Sequence, residues 1–397
     1  MIDLDALYRE HAPAITASLV RSFGARRLDL IEAAVQDAFI SAIESWGEQV
    51  PDRPGAWLQV AARRRVIDAI RRAAWIAPSE ALEEIEAPTP PANRDEDLLK
   101  MMFVCCHPAL PVESALALAL RTLCGFPVPA LARALRLDEA AIEKRLTRAR
   151  QVLREHQVEL DGDLAGRVDG VLRTLYVLFF EGYSAHAGAV QIDEDLCRTA
   201  IRLNAMLVAS RLATPPVFAL HALFLLHTAR LASRIDSAGD LIPLDRQDRA
   251  RWDRQMIGEG LEFLGRAASG DALSPFHLEA GIAACHALAP TYAATDWAQI
   301  VAFYDQLLEL TPSPVIALQR AIAIGRANGA RAGLRALENL VGNDRLDEDP
   351  VLAAAIGELE AVRGDVRAAR LAYRRALELA GTEPERRFLQ DKLAALD

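Results

Sequence analysis

Lys144, Thr147, Arg148 and Gln151 are spaced so that a helix gathers them on one face. Their chemistry is recognition rather than bond making. Two cations, a hydroxyl and an amide can read base edges or grip phosphates, Arg or Lys meeting guanine O6 and N7. Arg145, Arg150 and Arg154 flank the same face. Opposite them Ile142, Leu146, Ala149 and Leu153 recur at i, i+4, i+7 and i+11, a single apolar stripe that must be buried. Asp138 is suited to cap this helix. Ahead of it a shorter helix carries Pro129 in its first turn and Leu131, Ala134 and Leu135 as apolar positions. Residues 123–155 therefore predict a helix-turn-helix whose second helix enters a DNA major groove. A solvated surface helix with a basic face is the plain alternative.

A second basic stretch lies upstream. Arg53, Arg63, Arg64, Arg65, Arg71 and Arg72 are opposed only by Asp68 between residues 53 and 72. Glu80, Glu83, Glu84, Glu86, Asp95, Glu96 and Asp97 follow. The chain as a whole carries a net charge of −10, so the segregation of charge argues for nucleic acid, not its sum.

Elements must position these residues. With 397 residues the chain exceeds one ordinary core, and 52% hydrophobic residues with only 6% aromatics favour an all-α protein. Residues 1–75 predict a compact helical domain. One helix starts at Leu4, Leu7, Tyr8 and His11. A second runs from about Asp29 to Trp46 with Ile31, Ala34, Val35, Ala38, Phe39, Ala42 and Ile43 inward. A loop over 47–54 precedes a helix over 55–75 that buries Leu58, Ala62, Val66, Ala69 and Ile70. Residues 76–96, Pro-rich and acidic, form a linker, and 97–157 a second domain. Residues 160–397 form an all-α extension. From about residue 295 it carries a weak repeat: Ile300, Tyr304 and Leu307 correspond to Gly333, Leu337 and Leu340, then to Ala369, Tyr373 and Ala376. That period resembles tetratricopeptide helix pairs.

Other chemistries find little support. Cys105-Cys106-His107 lacks the CxxC spacing by which two thiolates share a zinc, so no metal and no cofactor is expected. His221 with His227, and Glu279 with His286, lack HExxH spacing. No nucleophile elbow, phosphate loop or carboxylate pair supports an enzyme. Five cysteines point to a reducing cytoplasm, no apolar stretch reaches membrane-spanning length, and the acidic amphipathic start is unlike a signal peptide. Glu181, Gly182 and Tyr183 suggest a helix end, Gly182 supplying a positive φ, or a regulatory contact. Asp240, Asp245, Asp248 and Trp252 read as loop and helix-start residues.

Several segments carry a family resemblance: LIEAAVQDAFISAIESW (30–46), PDRPGAWLQVAARRRVIDAIRR (51–72), LLKMMFVCCHPALP (98–111) and the helix-turn-helix. LYVLFFEGYSA (175–185), AGDLIPLDRQDRARWDR (238–254), TDWAQIVAFYDQLLELTPSPVIALQRA (295–321) and AGTEPERRFLQDKL (380–393) extend it over nearly the whole chain. Together they resemble the extracytoplasmic-function group of RNA polymerase sigma factors, in a subgroup with a long tetratricopeptide-like extension.

The resemblance implies that residues 1–75 are sigma region 2, with Gln36, Asp37 and Phe39 docking on the polymerase β′ clamp. It implies that Asp52, Arg53, Trp57, Arg63, Arg64, Arg71 and Arg72 serve −10 recognition and strand opening, and that Arg53 stands where similar loops carry Asn. Residues 97–157 would be region 4, reading the −35 element through Lys144, Arg145, Thr147, Arg148 and Gln151 and meeting the β flap. Glu143 replaces a basic residue common in the wider group. The implied partners are core polymerase and promoter DNA, with no membrane, and a regulatory protein for the extension. A tetratricopeptide-like scaffold and a free-standing repressor are the competing readings.

Overall fold

The computed structural model describes residues 4–46, 50–76, 94–135, 137–156, 158, 160, 162–183, 193–236, 242–270, 272–343, 346–381 and 383–396. Most of the acidic linker, the start of the 47–54 loop and Asp240 lie outside the described residues. Among the described residues the fold is all-α, and it divides into two compact units: Met1–Glu181 with Ala209–Leu212, and Gly182–Val208 with Ala213–Asp397.

In the first unit, α1 (Leu4–Phe23) packs on α2 (Leu28–Trp46), α3 (Pro54–Ile76), α4 (Arg94–Cys105) and α5 (Val112–Cys124). Its Ile15, Leu19 and Val20 are almost fully buried, as are Ile31 and Val35 of α2 and Leu58, Ala62 and Val66 of α3. The inward face of α2 is narrower than its sequence suggests. Ile40 is 53% exposed and Ile43, expected inside, is 48% exposed. Apolar residues wrap too far round this helix for one core contact to cover them all.

The helices α6 (Val128–Ala134) and α7 (Glu139–Glu155) follow after a short turn. Asp138 caps α7, its carboxylate accepting the Ala141 N–H at 2.6 Å. Ile142, Leu146, Ala149 and Leu153 are buried against α5 and α6. Cys105 and Cys106 are buried packing residues; burial pushes the Cys106 thiol up to about 12. The helix α8 (Val168–Tyr183) closes the unit with Val171, Leu172, Leu175 and Phe179 buried.

The second unit is a run of helices that pack on their chain neighbours: α9 (Glu194–Val208), α10 (Pro215–Thr228), α11 (Arg254–Ala267), α12 (Pro275–Leu288), α13 (Trp297–Leu310), α14 (Pro314–Asn328), α15 (Ala330–Glu338), α16 (Pro350–Arg363), α17 (Val366–Leu379) and α18 (Glu383–Ala394). Aspartates start many of them. Asp253, Asp296, Asp349 and Asp365 each accept a backbone N–H in the first turn that follows. The repeat positions Ile300, Leu307, Leu337, Ala369, Tyr373 and Ala376 are buried. Gly357 lets α17 approach, because a Cβ there would lie 2.8 Å from the Tyr373 ring.

The structure departs from two further expectations. Gly182 is helical, not left-handed; a Cβ would meet the Asp193 carbonyl and the Leu196 side chain at 2.7 Å, so close approach of α9 requires the glycine. The stretch Pro215–Ser233 is long and apolar enough to cross a membrane by length and composition. The sequence reading expected no stretch of that length, yet this one is a core helix: Val217, Leu220, Leu223 and Phe224 are fully buried where α10 packs on α11 and α12.

The same helix carries the buried His221, and α12 the half-buried His286. Burial lowers His221 and His286 from 6.5 to about 4. Between those values the unfolded chain binds protons that the folded one refuses, so stability falls as the pH drops through this window, by a few kcal/mol in all. Urea midpoints measured from pH 7 to pH 4 are expected to decline, and His221→Gln to flatten the decline. Parallel pH profiles for both proteins would contradict this assignment.

Candidate nucleic-acid interface

The α7 surface divides into two faces with different partners. Lys144, Thr147, Arg148 and Gln151 are exposed and Arg145 is half-buried. Gln151 donates to Glu155 at 2.8 Å within the helix. These side chains project from one rigid element whose opposite stripe is fully packed, the arrangement that a groove-reading helix requires. Glu143 is also exposed on α7.

The flanking arginines do something else. Arg150 donates two hydrogen bonds to Glu32 of α2, at 3.0 and 2.5 Å, and lies 3.1 Å from Asp29. Arg154 pairs with Asp29. The Thr122 hydroxyl of α5 donates to the other Glu32 oxygen at 2.8 Å. Glu32 is buried, so its charge needs these donors. Further contacts bind the two halves of the unit: Arg21 to Asp97 at 2.8 Å, the Arg9 guanidinium over the Phe126 ring, and Gly125 against the Arg9 backbone. Burial raises the Asp97 carboxyl and Arg21 opposes the shift. Sequence reasoning placed Arg150 and Arg154 on the flanks but gave no sign of their partners.

The upstream candidates separate into exposed cations and anchored ones. Arg64, Arg71 and Arg72 of α3 are exposed, as are Asp52 and Arg53 in the preceding loop. Arg63 is half-buried, its guanidinium 5.4 Å from the Phe23 ring centroid. Arg65 is pinned to the Ser41 hydroxyl at 2.5 Å. Trp57 packs edge-on against Trp46, centroids 5.3 Å apart. The exposed arginines make a cationic strip on one helix, suited to phosphates, with an aromatic pair at its N-terminal end.

Gln36 and Asp37 are exposed on α2, whereas Phe39 is buried with its ring 4.9 Å from that of Tyr8. Gln36, Phe39, Ile40 and Ile43 line one wall of a cavity of about 410 Å³, and Tyr8, Arg121 and Pro127 complete it. The exposed Ile40 and Ile43 are the residues that sequence reading missed here. Their signal was the excess width of the α2 apolar face.

Of the regulatory candidates, Glu181 is half-buried and Tyr183 is buried. Arg230 donates to the Tyr183 hydroxyl at 2.9 Å and the Arg234 guanidinium lies 3.8 Å from its ring centroid. His227 meets the ring edge-on. Tyr183 thus acts as an internal lock of the second unit. Asp248 caps a single helical turn, and Trp252 donates to the Ser233 hydroxyl at 2.8 Å.

The family described as sigma-70 region 2 matches residues 7–76, which span α1 to α3. A family of unknown function, DUF6596, matches residues 167–268. An uncharacterized protein of Rhizobium meliloti (strain 1021) is 36% identical over 401 residues, covering 96% of this chain and 94% of that protein.

The Glu32 contact can be measured directly. Glu32→Ala leaves the Thr122 hydroxyl without its acceptor and Arg150 with Asp29 alone, and it is expected to cost on the order of 2 kcal/mol of unfolding free energy in urea titration. A change below a few tenths of a kcal/mol would show that the contact contributes nothing to the fold.

Proposed function

The chain belongs to the sigma-70 family, and on that premise we propose that it directs core RNA polymerase to promoters as an extracytoplasmic-function sigma factor with a regulatory helical extension. The observation that carries the reading is the pairing of a region 2 helix bearing exposed Arg64, Arg71 and Arg72 with a second basic helix on a fully packed stripe. The protein works in the cytoplasm on promoter DNA and carries out no bond chemistry of its own.

In this reading α6 and α7 form the helix-turn-helix of region 4. Arg148 and Lys144 read or grip the −35 duplex, with Arg145, Thr147 and Gln151 beside them. Arg53, Arg64, Arg71 and Arg72 hold the phosphates of the opened −10 strand, and Trp57 supports the loop that captures a base. Arg63 contributes through its position over Phe23. Gln36, with the exposed Ile40 and Ile43, faces the β′ clamp, and region 4 meets the β flap. Residues 160–397, with tetratricopeptide-like helix pairs, set activity in response to a partner or ligand.

The two-point grip imposes a geometric demand. The −35 and −10 elements lie about 25 base pairs apart, roughly 85 Å of duplex. A compact unit the length of the first has a radius of gyration of about 16 Å, hence a diameter near 40 Å. One closed unit cannot touch both elements. The Glu32–Arg150 and Asp29–Arg154 contacts therefore belong to an inactive arrangement that polymerase must open.

In vitro transcription with purified core polymerase and a promoter library tests the assignment, since a scaffold or a repressor yields no initiated transcripts. Arg148→Ala is expected to lower −35-dependent initiation by about tenfold, within the roughly 1–3 kcal/mol of a base contact. Unchanged activity in both Arg148→Ala and Lys144→Ala would refute the reading face. At limiting core polymerase Asp29→Asn, which weakens the closed arrangement, is expected to raise initiation; equal or lower output would argue that the closed unit is not inhibitory.

A further inference from the structure

The second unit holds a cavity of about 280 Å³ that promoter recognition does not use. Its floor is Glu358 of α16, which binds Lys392 at 2.6 Å, the Tyr373 hydroxyl at 2.9 Å and Arg326 at 3.5 Å. Two cations thus converge on one carboxylate, leaving a surplus positive charge inside a largely apolar wall. Burial pushes the Glu358 carboxyl up, but Lys392, Tyr373 and Arg326 outweigh it and hold it below the ordinary carboxylate range, so it stays ionised. Asp245, the other acid on the lining, is exposed and screened by solvent. Val351, Ala355, Leu359 and Phe388 supply the apolar wall.

The cavity opens between two hydrophobic clusters: Leu359 and Ala355 belong to the one around Leu318, Leu337 and Leu352, and Tyr373 and Phe388 to the one around Ala369 and Ala376. A ligand here must be small, since the volume lies at the lower end of small-molecule sites. It must carry an apolar body for the walls and one negative charge for the surplus cation.

We propose that this cavity binds a small amphipathic carboxylate, a short acyl chain whose carboxylate shares Lys392 and Arg326 with Glu358 while its tail lies against Val351, Ala355 and Phe388. Any effect of occupancy on transcription rests on the regulatory reading of the extension; binding itself does not.

Isothermal titration calorimetry on the full chain tests the site with sodium octanoate, octylamine, octanol and a peptide ending in two leucines with a free carboxylate. Octanoate is expected to bind saturably at one site, and octylamine and octanol not to bind. Lys392→Met should weaken octanoate by about tenfold or more, and Glu358→Gln, which removes the competing carboxylate, should tighten it. Ala355→Met, filling the cavity from its wall, should abolish binding and serves if Lys392→Met does not fold. No octanoate binding, or binding unchanged in Lys392→Met and Ala355→Met, would overturn the site. Tighter binding of the peptide than of octanoate would overturn the small-molecule assignment. Transcription with and without octanoate is read separately: binding without a transcriptional effect keeps the site and removes the regulatory reading.

Discussion

The buried carboxylate of Glu32 receives the Thr122 hydroxyl and two N–H groups of Arg150, partners 90 and 118 residues along the chain. A charge in that position is costly alone and tolerable only when its lone pairs are occupied. It therefore sets the register of α5 and α7 on α2, and with it the direction in which the exposed face of α7 points. Arg150 and Arg154 turn inward to Glu32 and Asp29, while Lys144 and Arg148 remain outward. One helix thus carries both the cations that hold the unit closed and cations left exposed to solvent.

Local features were legible in the sequence because they depend on neighbours in the chain. The stripe Ile142, Leu146, Ala149 and Leu153 announced its buried face, and Asp138 its cap. The all-α class followed from composition. What the sequence could not announce were the long-range partners. Glu32 sits among apolar residues of α2 and reads as a stray charge until Arg150 is brought to it. Gly182 reads as a helix end, because the need for a missing side chain arises only when α9 lies against it. Ile43 has the spacing of an inward residue and is exposed because apolar residues wrap too far round α2 for one core contact to cover them. Among the site candidates, exposure of Arg64, Arg71, Arg148 and Lys144 followed from helical periodicity, whereas the anchoring of Arg63 over Phe23 did not.

In the second unit the same chemistry serves stacking. Helices added one after another expose carbonyls and hydroxyls at each joint, and long polar side chains satisfy them. Arg249 donates to the Ala289 carbonyl at 2.8 Å and Asn204 to the Val217 carbonyl at 3.1 Å. Trp252 and Ser233, and Tyr183 with Arg230, do the same. The motif residues near Tyr183 and Trp252 are in this sense joints of a scaffold. The Glu358 site differs, since its donors from α14, α17 and α18 line a cavity as well as a seam.

Residues 77–93 separate α3 from α4 in the sequence, a length of chain that can span at most about 60 Å. Such a connection holds α7 near α2 at an effective concentration on the order of millimolar. Individually modest ion pairs at Asp29 and Glu32 then suffice to keep the unit shut at any protein concentration, because dilution does not separate groups on one chain. Opening demands a competitor that offers both halves better contacts at once. The closed unit is in this sense a threshold: a partner that meets α3 or α7 alone leaves both ion pairs in place, and only one that engages both helices together can replace them.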